Sequence, residues 1–541
     1  MRHQRLSIII TSCLALTIFF GCTKKLDLVP TNDILADDAY ATPLGYKQAL
    51  AKVYGSMALI GNAGATGGRD VPSQIISDDG NSDFLRPYWY LQCLSTDEAG
   101  WTYHGNTDPL GIHELRWSAV NQTVAGAYYR SFFIITMAND FIRQSADDKL
   151  AARGISGADA DNIKKYKAEA RFIRAYQYWV LMDLYGNPPF VTEVDEIGIG
   201  LPRQISRKDL FSYIESELKA IEADLVAPRA NEYGRADKAA AWSLLARMYL
   251  NAEVYAGTPK YTEAITYCNK VITAGYTLHN NFKELMLADN HLNTDEFIFT
   301  INYDGLNTQN WGGTTLLIHG PAIDSKDQAL VQTFKDSTGT GTGGSWGCIR
   351  ITQQFVDKFD NSDIRGQFWT TGQNKTMTQL LDVPTDGYSS TKYRNKTRTG
   401  GLAPHRDPAG NWSDVDFPVF RLGEIYLTYA EAVLRGGAGG SNATALSYLD
   451  LLNRRGRPSA GSSTAQLTLP YIIDERGREL FWECIRRTDL IRFGLFTTST
   501  YLWAWKGGVQ SGSSVDSKYN LYPIPSNDLG ANPNLKQNTG Y

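Results

Sequence analysis

The sequence predicts a mainly α-helical protein, a scaffold of helix pairs carrying an irregular, loop-rich lobe with short strands. Three observations predict it. From about residue 46 to 275, apolar residues recur at helical spacing in six successive stretches. Two of these stretches place small residues where paired helices cross. From about 280 to 420 the periodicity is replaced by Gly, Thr, Ser and Asn with scattered aromatics. At 541 residues the chain is too long for one ordinary core, so several subdomains or an extended repeat array are required.

The N-terminus comes first. MRHQR carries Arg2 and Arg5, LSIIITSCLALTIFF is an apolar run of signal-peptide length, and Gly21-Cys22 with TKK ends it. A small residue before a cysteine at that point resembles a lipoprotein signal. Residues 1–21 would be removed and Cys22 lipidated, although Phe19 stands where leucine is more usual. The competing reading, a transmembrane anchor, needs a longer run and a flanking stop signal. Removal of Arg2 and Arg5 takes the net charge from −4 to −6. Residues 22–45, polar with Pro30 and Pro43, read as a lipidated tether.

Residues 46–280 form the first helical region. GYKQALAKVYGSMALI and AYYRSFFIITMANDFIRQ are amphipathic. KKYKAEARFIRAYQYWVLMDLYG is long, apolar on one face, and stops at Gly186-Asn187-Pro188-Pro189. LFSYIESELKAIEADL, DKAAAWSLLARMYLNAEVYA and YTEAITYCNKVITAG follow. Trp242, Leu245, Ala246 and Tyr249, then Ala264, Cys268 and Val271, have the spacing of a tetratricopeptide helix pair. Residues 421–541 bring a similar pair, EIYLTYAEAVLRG and ATALSYLDLLNRRG. Any antiparallel pair with small crossing residues imitates one unit, but several pairs together favour the repeat. Between the two regions, EFIFTINYD alternates like a strand and opens the irregular lobe, 281–420. Loops on a rigid helical scaffold are where binding usually resides.

The chemistry that composition excludes is considerable. Lys+Arg 53 balance Asp+Glu 57, and no basic run with interleaved aromatics marks a nucleic-acid surface. Cys93, Cys268, Cys348 and Cys484 are widely spaced, without CxxC, and read as buried hydrophobes. GTGTGG (339–344) fits GxGxxG but follows FKDST, not a strand, so no cofactor is implied. Gly343–Gly347 fits GxSxG without the buried strand a nucleophile elbow needs. The seven histidines show no HExxH or HxH and supply no metal ligand set. Glu475 and Glu479 lie one helical turn apart, as a glycosidase pair would be imagined. With Arg476, Arg478, Arg486, Arg487, Asp489 and Arg492 around them they read as charge pairs along a helix. No catalytic residue is assigned, and the protein is read as a non-enzyme.

Several stretches together resemble the SusD/RagB family of outer-membrane lipoproteins. They are the Cys22 signal, ARFIRAYQYWVLMDLYGNPPFV (170–191), FRLGEIYLTYAEAVLRGG (420–437), LNRRGRP (452–458), IIDERGRELFWECIRRTDLIRFG (472–494) and YPIPSNDLGANPNLKQNTGY (522–541). The resemblance implies a tetratricopeptide-like scaffold and a surface-exposed lipoprotein. It also implies a glycan ligand held by the irregular lobe and a TonB-dependent transporter as partner. It gives DEAGWTYHGNTD (97–108) a role. Trp101, Tyr103 and Asn106 form W-x-Y-x-x-N with Arg86 upstream, similar to the Trp-x-Trp-x-x-Asn loop and arginine of the family's starch-binding founder. Tyrosine replaces the second tryptophan, which leaves a smaller platform with an added hydroxyl. By position Tyr303 and Trp346 would complete the aromatic arc, with Trp311 in reserve. The physics agrees, since sugar C–H faces pack on aromatic rings and Asn and Arg supply donors for hydroxyls. A starch-type α-glucan is the first ligand expected. A fructan, a β-glycan or a peptide on the same scaffold, a glycoside hydrolase, and a helical adaptor without a small ligand are the alternatives.

Overall fold

The computed structural model describes residues 36–541 apart from 66–67, 197, 339, 342 and 459–465. The signal segment, Cys22 and most of the tether lie outside these residues. So do two positions of the GTGTGG stretch.

The scaffold begins earlier than residue 46. Helix α1 spans Pro43–Gly55, with Thr42 Oγ1 accepting from the Gly45 N–H at 3.1 Å. Pro43 occupies the first turn, where a missing N–H and a fixed φ cost nothing. Helices α2 (Gln122–Gln144), α3 (Gly157–Tyr185) and α4 (Arg207–Ile221) follow. Helix α3 ends at Gly186, whose φ of +72° suits glycine, and Pro188 and Pro189 prevent its continuation. Asp237 caps α5 (Lys238–Leu250) through the Ala239 and Ala240 N–H groups, and α5 packs against α6 (Tyr261–Ile272). Leu245, Ala246, Tyr249, Ala264, Cys268 and Val271 are all fully buried, and Trp242 is half-buried. The helix-pair reading of this spacing holds. Helix α6 packs in turn on α7 (Leu422–Leu434), which pairs with α8 (Asn442–Gly456). Tyr426 and Tyr448 stack across that last pair at 4.2 Å and 1°. Helices α9 (Leu469–Glu479) and α10 (Arg486–Arg492) complete the C-terminal region.

The lobe enters and leaves on one ribbon. Strand β2 (Phe297–Ile301) pairs antiparallel with β4 (Phe417–Arg421), and every residue of both is buried. A second ribbon joins β1 (Gly100–Trp101) to β3 (Ile349–Arg350), tying the 97–108 loop to the middle of the lobe's sequence. The main hydrophobic core runs continuously from the scaffold helices through β2 and β4 into the lobe. Cys93, Cys268, Cys348 and Cys484 are free and buried in it, as their spacing predicts.

The charges around Glu475 and Glu479 differ from the expectation. Two pairs do lie within a helix, Arg478–Glu475 in α9 and Arg492–Asp489 in α10. The others cross between elements and are buried. Arg365 reaches Asp363, Glu475 and Glu479 at 2.7, 2.7 and 3.1 Å. Arg421 reaches Glu296, Glu479 and Glu483 at 2.8, 2.6 and 2.7 Å, and Arg455 bridges Glu296 and Glu479. These arginines need carboxylate partners once out of water. Asp363 takes two prongs of Arg365 and Glu483 two of Arg421, and Glu296 with the α9 carboxylates Glu475 and Glu479 completes the set.

Candidate functional site: an aromatic cleft

The cleft is assembled from three segments that are distant in sequence. The first is the turn Asp78–Ser82 and the short helix behind it. Arg86 folds back over this turn, and Gly80 makes room for it, because a Cβ there would lie 1.9 Å from Arg86 Nη1. Arg86 Nη1 donates to the Trp311 carbonyl at 3.1 Å, and the guanidinium lies 5.6 Å from the Tyr90 ring and 6.0 Å from the Trp346 ring.

The second segment is the 97–108 loop. Its root is clamped by Asp97, which accepts from Arg486 Nε and Nη2 at 2.8 and 2.7 Å. Burial pushes the Asp97 carboxyl up, but Arg486 outweighs it and holds the group below its usual range. The Trp101 N–H donates to His113 Nδ1 at 3.2 Å. Burial pushes the His113 ring down to about 4, so it stays neutral and accepts there. The Thr102 N–H and hydroxyl donate to the Cys348 and Gly347 carbonyls at 2.9 and 2.8 Å. Asn106 caps the helix Thr107–His113, its Oδ1 accepting from Asp108 N–H at 3.3 Å.

The third segment belongs to the lobe. Trp346 is held between the helix Gly313–His319 and β3. Its N–H donates to the His319 carbonyl at 2.9 Å, and its ring stacks on the His319 ring at 5.1 Å and 22°. Trp311 packs on Trp412 at 4.4 Å and faces Trp346 at 6.2 Å with 51° between the planes.

These pieces enclose an open cavity of about 560 Å³, of the size that takes a small ligand. Of the seven predicted binding residues, Arg86, Trp101, Tyr103, Asn106, Trp311 and Trp346 line it. Tyr103 is half-exposed and presents its ring to solvent. Trp101, at 3% exposure, is almost wholly enclosed. It stands edge-on to Tyr90 at 5.7 Å and 85°, with its indole N–H donated to the Tyr103 carbonyl at 2.5 Å. It forms floor rather than platform.

Tyr303 is not in the cleft. It is 6% exposed, its N–H donates to Asp416 Oδ1 at 2.8 Å, and its ring lies against Gly313. The Tyr303 side chain turns into the core although Asn302 and Leu306 on either side of it are exposed, and it is Trp311, the reserve residue, that lines the cleft. Sequence reasoning also missed Asp78, Asp79, Asp324 and Ser345 in the lining, and Trp412 and His319 behind it. The Asp-Asp-Gly-Asn run at 78–81 is a turn signal and a pointer to the first of these. Glu475 and Glu479 lie buried in the ion network, outside the cleft lining.

The helix-pair scaffold thus carries an aromatic cleft on its lobe, and comparison with known proteins gives the family. Residues 295–541 match the SusD family, and residues 93–250 match a family described as "Starch-binding associating with outer membrane". The chain is 34% identical to the starch-binding protein SusD of Bacteroides thetaiotaomicron, across 96% of each chain. It belongs to the SusD family. SusD-like protein P25 of Formosa agariphila is 24% identical over 80% of this chain and 84% of its own. Among solved structures, a SusD superfamily protein from Parabacteroides distasonis superposes with a TM-score of 0.69, at 20% identity over 94% of this chain and all of its own. Surface glycan-binding protein A from Bacteroides thetaiotaomicron, in complex with laminarihexaose, superposes at 0.68, with 19% identity over 91% of this chain and 98% of its own. Both show the same fold.

Proposed function

We propose that this chain is a non-catalytic, surface lipoprotein of the outer membrane that binds an oligosaccharide, foremost a starch-type α-glucan, and hands it to a TonB-dependent transporter. One observation carries the reading: Tyr103, Trp311 and Trp346 share a single open cleft with Arg86 and Asn106. The inclined tryptophans suit a curved glucan, whose C–H faces pack on the rings while the guanidinium and amide donate to its hydroxyls. Identity to a starch-binding relative over nearly the whole chain supports the α-glucan. The burial of Glu475 and Glu479 in arginine pairs, away from the cleft, supports the non-catalytic reading over a glycoside hydrolase. The Cys22 signal and the description of the matched family support lipid anchorage at the outer membrane. No helix among the described residues is long and apolar enough to cross a membrane. A laminarin-type β-glucan is the second reading, favoured by the laminarihexaose complex of a protein with this fold.

Affinity electrophoresis of residues 23–541 through gels containing amylopectin, laminarin, levan or no glycan tests the ligand. Retardation by amylopectin that disappears in Trp346→Ala is the expected result. Retardation by laminarin alone transfers the site to the β-glucan, and none with any polymer refutes the glycan reading. Co-purification of a barrel transporter with the wild type from outer membranes, lost with Cys22→Ser, is the result expected for the delivery role.

A further inference from the structure

The charge of the cleft narrows its ligand, an inference that rests on the glycan reading. Its lining carries three carboxyl groups, Asp78, Asp79 and Asp324, and one guanidinium, Arg86. The charge of Arg86 is already countered by a neighbouring carboxylate. One of its amino groups donates to the Trp311 carbonyl, and the other lies 3.8 Å from Asp78 Oδ2. Asp79 is paired with Arg69 at 3.0 Å, a residue outside the lining. Asp324 is exposed and makes no ion pair among the described residues. It is held close to Trp346 because Gly347, at φ +63°, has no side chain; a Cβ there would come within 2.9 Å of the Asp324 Cβ.

The aromatic platforms are therefore bordered by carboxylate oxygens at the 78–79 turn and at the 324 corner, and the one cation among the described lining residues already has a carboxylate beside it. A carboxylate accepts hydrogen bonds from the vicinal hydroxyls of an uncharged sugar. It can accept nothing from the anionic group of a uronate or a sulfate ester, and it repels that group within a screening length of roughly 8–10 Å. We infer that the cleft selects uncharged glycans and rejects uronate- or sulfate-bearing ones, and that Asp324 beside Trp346 is a specificity-determining residue.

The test compares short amylose and laminarin oligosaccharides with the same chains oxidised at C6 to carboxylates, and with the methyl esters of the oxidised chains, by titration calorimetry on the mature chain. The wild type binds the native form and the uncharged ester comparably, and binds the acid about tenfold more weakly, as like-charge juxtaposition demands. Asp324→Asn narrows that ratio, and raised salt narrows it in the wild type. Equal binding of the acid and the native chain overturns the inference. So does an ester as weak as the acid, because the lost hydroxyl rather than the charge would then be responsible. An undiminished ratio in Asp324→Asn overturns the assignment to that residue. Failure of every native chain to bind refutes the glycan reading itself, a result distinct from any of these.

Discussion

Trp101 and Trp346 belong to the same cleft but fail differently when truncated. Trp101 is enclosed by Tyr90 and its own loop and donates its indole N–H within that loop. Removing it leaves a cavity in the core, at a cost of about 3–5 kcal/mol of stability. Trp346 is half-buried, with one face on His319 and Trp311 beside it. Its truncation removes a stacking surface from the ligand and little from the core. Trp346→Ala is therefore expected to weaken glycan binding about tenfold, on the order of 1.4 kcal/mol, with a small change in urea midpoint. Trp101→Ala is expected to lower the midpoint markedly. Paired calorimetric titrations and urea unfolding curves check this, and the reverse pattern would make Trp101 the platform. The physical distinction was not legible in the sequence. W-x-Y-x-x-N puts both aromatics on one loop, but which of them faces solvent is decided by the pairing of Gly100–Trp101 with Ile349–Arg350, nearly 250 residues away.

The same limit governs the elements. Helices with a regular apolar face and side-chain caps at Thr42, Asn121, Ser206, Asp237 and Ser441 are local events, so periodicity and capping chemistry expose them. The start of α1 at Pro43 is the exception in detail, since a proline was read as tether where it opens a helix. The lobe's strands are two to five residues long and pair across long loops, beyond any local pattern. That is why Tyr303, chosen by position after EFIFTI, proved to be core and Trp311 proved to line the cleft. The turn Gly80–Ser82 shows how an element serves the site. The absence of a Cβ at Gly80 lets the Arg86 guanidinium lie over the turn and reach the Trp311 carbonyl. Gly80→Ala pushes aside the far end of a flexible side chain rather than backbone. The fold should survive with a similar melting temperature, while glycan affinity falls several-fold, about 1 kcal/mol for a lost donor set. Unchanged affinity in titration would show that Arg86 works from its displaced position.

At the scale of the whole molecule, buried ionisation sets the stability, and its two limbs have opposite signs. On the acid side stands the network of Arg365, Arg421 and Arg455 with Glu296, Glu475, Glu479 and Glu483. Burial raises the Glu475, Glu479 and Glu483 carboxyls, but the arginines outweigh it and hold them below their ordinary 4.5. Their stabilisation is present above that value and is lost as pH falls through the lower folded value. Arg421→Met leaves three buried carboxylates short of a partner and should cost about 3–5 kcal/mol at neutral pH. A urea midpoint equal to that of the wild type would mean the network relaxes around the gap. On the alkaline side stand carboxyls that burial pushes up: Glu98 to about 8, Asp416 to about 7 and Asp237 to about 6. Each keeps its proton in the folded state while the unfolded chain releases it, so each withdraws about 1.4 kcal/mol per pH unit as pH rises from the unfolded value to the folded one. His113, pushed down to about 4, adds a loss as pH falls below its ordinary 6.5, but three raised carboxyls outnumber it. The stability maximum is therefore expected between about pH 4.5 and 6, below neutrality. Urea midpoints of residues 23–541 from pH 3.5 to 9 would locate it. Glu98, 1% exposed and accepting the Trp482 N–H at 3.2 Å, makes the alkaline limb testable alone. Glu98→Gln keeps that acceptor without the proton, so it should gain on the wild type steadily as pH rises to 8 and show no advantage at pH 4.5. A constant difference across that range would mean that Glu98 does not titrate with unfolding and that the alkaline limb has another source.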